Sequence, residues 1–316
     1  MNQPTLAPAT FQTLIAANKR RSGFLVVAML GLAALAGAVI PTALLGQVSP
    51  AAMIGGALLA VALGGFGALI GYYKGASIVM AVSGATPLNP ADDRELQNVV
   101  EEIAIAAGVA PPKIYLIDDS APNAFATGRD PRHAAIAVTT GLRSKLNREE
   151  LQAVIAHEFG HIVNYDIRLM MITAVLAGAI VLLCDFFWRA LRFGGPRGRS
   201  DRKSGGAAQV VFLVLALALA LLAPVVAKLV QLAVSRQREF LADATSVRLT
   251  RNPNGLVTAL LKLSSDPDPL EAANRATEHL YIVSPTRKLT DANRDSIWST
   301  HPPINKRIQR IRALLD

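Results

Sequence analysis

Charged residues and cysteine are scarce in this sequence. Only 17% of its 316 residues are charged and 52% are hydrophobic, whereas a soluble domain carries about 25% charged residues. This deficit and a mean hydropathy of +0.35 indicate a membrane protein. The single cysteine, Cys184, excludes an intrachain disulfide and a cysteine-rich metal site.

Basic residues outnumber acidic ones, and the net charge is +9. An excess of positive charge suits either nucleic acid or the anionic headgroups of lipids. In a chain this apolar, lipid headgroups are the better match. We therefore predict that the partner is a lipid bilayer and that nucleic acid is not bound.

Four long apolar stretches dominate the chain. They run over residues 24–46, 51–73, 169–188 and 210–234. Each is long enough to cross about 30 Å of hydrocarbon as a helix. Asp185 lies in the third and Lys228 in the fourth, so burial inside a large soluble fold is a stronger alternative for these two. The second contains six glycines, which favour close packing against the first span over a dimer interface.

The basic residues beside the first stretch predict its orientation. Lys19, Arg20 and Arg21 precede it, and such residues stay on the cytoplasmic side. Two crossings then return the chain to the cytoplasm. The basic segment 189–203 fits this rule poorly if both later stretches cross, so a partly embedded hairpin or a cytoplasmic helical pair stays open as an alternative.

Residues 76–168 have the pattern of a soluble segment with helices and short strands. The expected elements are a helix over 92–107 and strands over 113–117 and 135–138. Asn147 is a suitable N-cap for a further helix, whose first turn is acidic. We predict a mainly α-helical fold with a small β-sheet.

The strongest chemical signal lies on this last helix. It is the run His157-Glu158-Phe159-Gly160-His161. Imidazoles four residues apart share a helix face and can bind one metal ion, and Glu158 lies where it can take a proton from a water at that ion. Zinc suits three protein ligands and one water. Chance would produce this pattern in roughly a few tenths of a per cent of such chains, so two unrelated histidines are the weaker alternative.

A third ligand is required, and segment 238–243 is the best downstream candidate. Glu239 would coordinate the metal, and Asp243, one turn later, could hold a ligand imidazole through its other nitrogen. Two apolar stretches separate His161 from Glu239, and such a hairpin leaves and returns on the same side of a membrane. The alternative is a charged surface helix with an intrahelical Arg–Asp pair.

These motifs together resemble the HtpX-like family of membrane zinc metallopeptidases, which is related to the CAAX prenyl proteases. The resemblance covers nearly the whole chain. Its parts, in order, are two N-terminal spans, APNAFATG at 121–128, the HEFGH helix, an apolar hairpin, REFLAD at 238–243, and STHPP at 299–303 followed by Arg307. Several independent motifs in the right order are more specific than any one of them.

The resemblance implies a multi-span membrane protein with a gluzincin-type metallopeptidase domain at the cytoplasmic face of the bacterial inner membrane. Residues 1–75 would hold two transmembrane helices. Residues 76–316 would form the metallopeptidase domain, interrupted by an apolar helical hairpin at 169–234. The implied activity is that of an endopeptidase with one zinc ion per chain, whose polypeptide substrates are misfolded or damaged membrane proteins.

The resemblance also implies roles for residues outside the zinc motif. An extended peptide would add to a strand edge lined by Asn123, Ala124, Phe125 and Ala126. His301 would donate a hydrogen bond to the oxyanion, and Arg307 would support the site or pair with Asp243. From the residues alone, His301 would be a surface histidine and Arg307 a lipid-facing charge.

Two other functions compete with proteolysis. A non-catalytic membrane scaffold or quality-control factor could carry a structural zinc, but such a site closes its fourth position with a protein ligand and needs no base at Glu158. A transporter or channel is disfavoured because the first two apolar stretches contain no ionisable residue.

Overall fold

The structure is a computed structural model that describes residues 11–45, 48–193, 207–272, 280–283 and 301–314. The helices are Phe11–Leu45 (α1), Pro50–Val82 (α2), Arg94–Ala107 (α3), Thr140–Lys145 (α4), Arg148–Val163 (α5), Asp166–Phe193 (α6), Ala207–Thr250 (α7), Pro253–Ser265 (α8) and Ile304–Arg312 (α9). The strands are Thr86–Pro87 (β1), Lys113–Ile117 (β2), Ala124–Gly128 (β3) and Ala134–Thr139 (β4). The chain divides into two compact units, a first of residues 1–68 and 175–230 and a second of residues 69–174 and 231–316.

Within the described part of the chain, four helical segments are long and apolar enough to cross a membrane. They are Val26–Leu44, Pro50–Val82, Asp166–Arg192 and Val210–Ala227. On α2 the side chains of Leu58, Leu63 and Phe66 are 65%, 62% and 63% exposed. Only 6% of this apolar segment is buried, and so much exposed apolar surface marks an interaction with lipid or with another apolar surface.

Within the first unit, α1 and α2 approach each other closely at two glycines. A Cβ added to Gly56 would overlap the carbonyl oxygen of Gly37, and a Cβ added to Gly37 would overlap that of Gly56. Small residues allow helix backbones to come this close in lipid. The predicted packing of the second span against the first is confirmed at this contact.

The second unit contains a four-stranded mixed sheet in the order β1-β2-β4-β3. β2 runs parallel to β4, whereas β1 and β3 pair antiparallel with their neighbours. Every residue of β3 and β4 is buried, so helices and loops cover both faces of this half of the sheet. β3 lies at the edge, and its register pairs Ala124 with Val138 and Gly128 with Ala134.

A capping box starts the buried helix α5. The Asn147 side chain accepts a hydrogen bond from the Glu150 N–H, and the Asn147 N–H donates to the Glu150 carboxylate, both at 2.9 Å. These bonds satisfy two N–H groups that the first turn would otherwise leave unpaired. Nearly all of the helix that follows is buried, which fixes the direction of its side chains.

The predicted fold class, mainly helical with a small sheet and several apolar helices, is confirmed. The strand predicted over 113–117 is β2, and the predicted N-cap at Asn147 is present. Helix α7 continues to Thr250, beyond the apolar stretch that predicted it. Residues 194–203 of the basic segment lie outside the described residues.

Helices α5 and α7 cross at Gly160. A Cβ added there would lie 2.8 Å from Ala242 Cα, closer than two carbon atoms can pack. Glycine at this position therefore sets the distance between the two helices.

We expect Gly160→Ala to lower the thermal unfolding midpoint of the detergent-solubilised protein. Forcing a methyl group into this crossing should cost about 1–3 kcal/mol. Gly178→Ala in α6 is the matched control, because its added Cβ meets nothing within 4 Å. Equal midpoints for the two variants would contradict the close crossing.

Candidate active site

Two histidines and a glutamate meet in the second unit. His157 and His161 lie one turn apart on α5, and Glu239 reaches them from α7. His157 Nε2 lies 3.8 Å from Glu239 Oε2, and His161 Nε2 lies 3.5 Å from Glu239 Oε1. One ligand atom from each residue lies within 4.8 Å of the others, so the three side chains converge on one point.

The donor set fits a metal ion. All three side chains are buried, and His157 Nε2 makes no hydrogen bond with any residue that the structure describes. Buried polar atoms nearly always have a partner. A metal ion bound between this nitrogen and the other two side chains would supply the partner. Two imidazoles and one carboxylate leave a fourth position for water or substrate.

Asp243 and Arg307 fix the orientation of His157 from the Nδ1 side of its ring. His157 Nδ1 lies 3.0 Å from Asp243 Oδ1. Arg307, which is fully buried, donates to the same carboxylate from Nε at 2.9 Å and from Nη2 at 2.6 Å. Burial lowers the pKa of His157 to about 4, although Asp243 opposes this shift. The imidazole is therefore neutral, which is the form that binds a metal.

His161 has a matching partner, Asp166, that the sequence analysis missed. His161 Nδ1 lies 3.2 Å from Asp166 Oδ2. Arg238 places Nε 3.4 Å from Asp166 Oδ1 and donates from Nη1 to the Asp166 carbonyl at 3.1 Å. Burial alone would lower the pKa of His161, but Asp166 and Glu239 outweigh it and raise the pKa to about 10. Each histidine thus faces Glu239 through Nε2 and an aspartate through Nδ1.

A sharp turn brings Asp166 back to His161. Tyr165 has a positive φ of 60°, which is uncommon for a residue with a side chain. The turn lies between α5 and α6 and makes Asp166 the first residue of α6. The one signal in the sequence is an acidic residue five positions after His161.

Glu158 lies beside the three converging side chains and is 1% exposed. Burial raises the pKa of its carboxyl to about 7, and Glu239 acts in the same direction against the opposing effect of His161. The main-chain N–H of Ala126 also favours its charged form. A carboxyl with a pKa near neutrality can both accept and return a proton near pH 7.

His301 reaches the same centre from the C-terminal part of the chain. It is buried, and its Nδ1 lies 3.2 Å from Glu239 Oε2. Arg307 Nη1 lies 3.3 Å from the same oxygen. Ser299 and Thr300 of the predicted motif lie outside the described residues. The structure therefore brings His301 and Arg307 to the glutamate that faces the two histidines.

Three of the four predicted cleft residues contact residues 280–283, including Ala124, whose carbonyl accepts from the Ile282 N–H at 3.0 Å. Ala126 lies beside Glu158, and Ala124 lies on β3 two residues before it. Asn123 donates from Nδ2 to the Val283 carbonyl at 2.9 Å, and the Phe125 ring packs against Tyr281 with 5.0 Å between centroids. Asn123, Ala124 and Phe125 thus contact residues 280–283 of the same chain.

Comparison with known proteins shows the family to which the chain belongs. The family model described as "Peptidase family M48" matches residues 90–315. A protein named "Protease HtpX homolog" from Thermoanaerobacter pseudethanolicus is 44% identical over 78% of this chain and 80% of its own. Its namesake from Streptococcus gordonii is 42% identical over 95% of this chain and 98% of its own.

A solved structure is also similar. The crystal structure of S. mikatae Ste24p matches with a TM-score of 0.49 and 22% identity, over 77% of this chain and 55% of that one. The family model and the relatives carry the assignment, and together with the four apolar helices they indicate a bacterial inner-membrane protein. The chain belongs to peptidase family M48 and is a membrane metalloprotease.

Proposed function

We propose that the protein is a zinc-dependent endopeptidase that cleaves misfolded or damaged membrane proteins at the cytoplasmic face of the membrane. The observation that carries this proposal is the buried convergence of His157, His161 and Glu239 with Glu158 beside them. Imidazole and carboxylate ligands with one open position are typical of catalytic zinc. One zinc ion per chain follows from the one ligand group found among the residues that the structure describes.

The proton path follows from the placement of Glu158. Bound zinc would supply an acidified water and polarise the peptide carbonyl. Glu158 accepts the proton of the attacking water and returns it to the departing amine, as its near-neutral pKa allows. The main-chain N–H of Ala126 favours the charged form of this carboxylate.

Four buried side chains orient the reacting groups. Asp243 and Asp166 each fix one ligand imidazole through Nδ1, which keeps Nε2 directed at the metal. His301 donates a hydrogen bond to the carbonyl oxygen as negative charge develops on it. Arg307 neutralises Asp243 and orients it.

The substrate class is proposed from the membrane setting. Four helices have the length and the apolar composition to hold the enzyme in the bilayer, where we expect its partners to be membrane proteins and lipid. A peptide bound along the edge of β3 must be extended, and a segment folded in a helix or inside a sheet does not offer its main chain in this way. Damaged proteins with an unfolded segment meet this requirement.

We expect Glu158→Gln to keep its zinc and to lose turnover by about 10²–10⁴-fold. The amide preserves the shape of the side chain but cannot accept the proton. Zinc content and casein cleavage are measured on one preparation, with Glu149→Gln, an exposed change on the same helix, as the control. Full activity in a metal-loaded Glu158→Gln protein would exclude Glu158 as the base. Zinc binding without any cleavage by the unmodified protein would instead favour the non-catalytic scaffold.

Glu239→Ala should lose both zinc and activity, whereas Asp166→Asn and Asp243→Asn should weaken zinc affinity by about 10–100-fold. Removing a ligand lowers the zinc affinity more than removing the charge of a group that only orients a ligand. Affinity is measured by competition with a chromogenic chelator, so the result does not depend on turnover. Full zinc occupancy in Glu239→Ala would show that another residue is the third ligand.

Both termini and residues 74–166 should face the cytoplasm, because basic residues precede the first span and an even number of crossings follows. Reporter fusions at residue 130 and at the C-terminus should both report cytoplasm. A periplasmic signal from either fusion refutes this orientation. A third fusion near residue 195 determines whether the apolar hairpin crosses the membrane.

A further inference from the structure

The outer edge of β3 has a fixed set of outward main-chain groups. The Asn123 carbonyl accepts from the Thr139 N–H at 3.0 Å, so Asn123 faces β4. Antiparallel strands alternate the side toward which residues direct their N–H and C=O groups. Ala124, Ala126 and Gly128 therefore direct theirs away from β4, to the edge where an added peptide would pair.

The chain itself already uses the first of these three positions. The Ala124 carbonyl accepts from the Ile282 N–H at 3.0 Å, and the Ala124 N–H donates to its neighbour Asn123 Oδ1 at 3.1 Å. The Asn123 amide also donates to the Val283 carbonyl. Residues 281–283 therefore occupy the beginning of the strand edge.

Residues 281–283 are held by the active site as well as by β3. Tyr281 and Ile282 are fully buried. The Ile282 carbonyl accepts from Arg307 Nη1 at 2.9 Å, and Arg307 is the residue that pairs with Asp243. Moving this segment would remove a buried guanidinium's partner, so we treat it as part of the wall of the site.

The far end of the edge is limited by a turn. Gly128 has a φ of 140°, and a Cβ added to it would overlap the His133 carbonyl. The strand ends there, and a short 3₁₀ turn, Pro131–His133, leads into β4. Between the two limits lie Ala126, which is next to Glu158, and Gly128.

We propose that residues 281–283 permanently occupy the Ala124 end of the β3 edge and form a fixed stop for bound substrate. A peptide then pairs with β3 only through Ala126 and Gly128. This inference rests on the proposed peptidase function. The substrate main chain must therefore turn away from the edge of β3 between Ala126 and Ala124. The strand then binds only a short extended segment of the substrate main chain, and this limit does not depend on the substrate's side chains.

The test is a scan of one cleaved fluorogenic peptide in which each amide in turn is N-methylated. Ala126 and Gly128 offer two outward carbonyls, so two peptide N–H groups two residues apart should matter, whether the peptide runs parallel or antiparallel. Methylation at these positions should lower kcat/KM about tenfold. Methylation of the residue between them is the control, because its N–H points away from β3.

A third sensitive N–H, continuing the same two-residue spacing, would mean that Ala124 is free to bind substrate and would overturn the stop. Hydrogen exchange gives an independent answer on the zinc-loaded Glu158→Gln protein. The Ile282 amide should exchange slowly without peptide and stay slow when peptide is added. Faster exchange on addition would show a displaceable lid.

The failure of the two proposals can be told apart. If no peptide is cleaved or bound, the proposed function fails, whereas slow exchange at Ile282 in the free protein still supports the stop. Rapid exchange there in the free protein contradicts the stop even if peptides are cleaved.

Discussion

The distance between α5 and α7 at Gly160 is the constraint on which the site depends. α5 brings the two histidines, and α7 brings Glu239 and Asp243. A side chain of any size at Gly160 would meet Ala242 and move the carboxylates of α7 away from the imidazoles. The glycine of the HEFGH run therefore acts through helix packing, while its neighbours act through chemistry.

A second constraint is the balance of buried charge. Four carboxyl groups, those of Glu158, Asp166, Glu239 and Asp243, and two guanidinium groups, those of Arg238 and Arg307, are all nearly inaccessible to water. Buried charges are tolerated only when they are compensated. Without a metal ion, the raised pKa of His161 keeps its imidazole protonated, and this proton supplies part of the compensation. When His161 gives up that proton to bind a metal and Glu158 is ionised, two negative charges remain, which a divalent cation would balance. The pKa of Glu239 lies well below its usual range despite burial, because His301, Arg307 and His161 favour its charged form.

Local rules were sufficient to predict the elements that carry the site. The spacing of His157 and His161, the cap at Asn147 and the β2 strand all follow from patterns within a few residues. The placement of Asp166 does not, because it depends on Tyr165 adopting a positive φ, and nothing in a tyrosine predicts this. The contact of residues 281–283 with β3 combines one main-chain bond, from Ile282 to Ala124, with bonds of the Asn123 side chain and the packing of two rings. It joins residues about 160 positions apart, and no local pattern in the sequence predicts a contact at such a separation.

We infer that His157, His161 and Glu239, which buried charged side chains orient, form one zinc site. X-ray absorption at the zinc edge of the purified protein tests this inference most directly. We expect one zinc per chain with only nitrogen and oxygen neighbours at about 2.0–2.2 Å, including two imidazoles. A sulfur neighbour at about 2.3 Å, or a single imidazole, would contradict it.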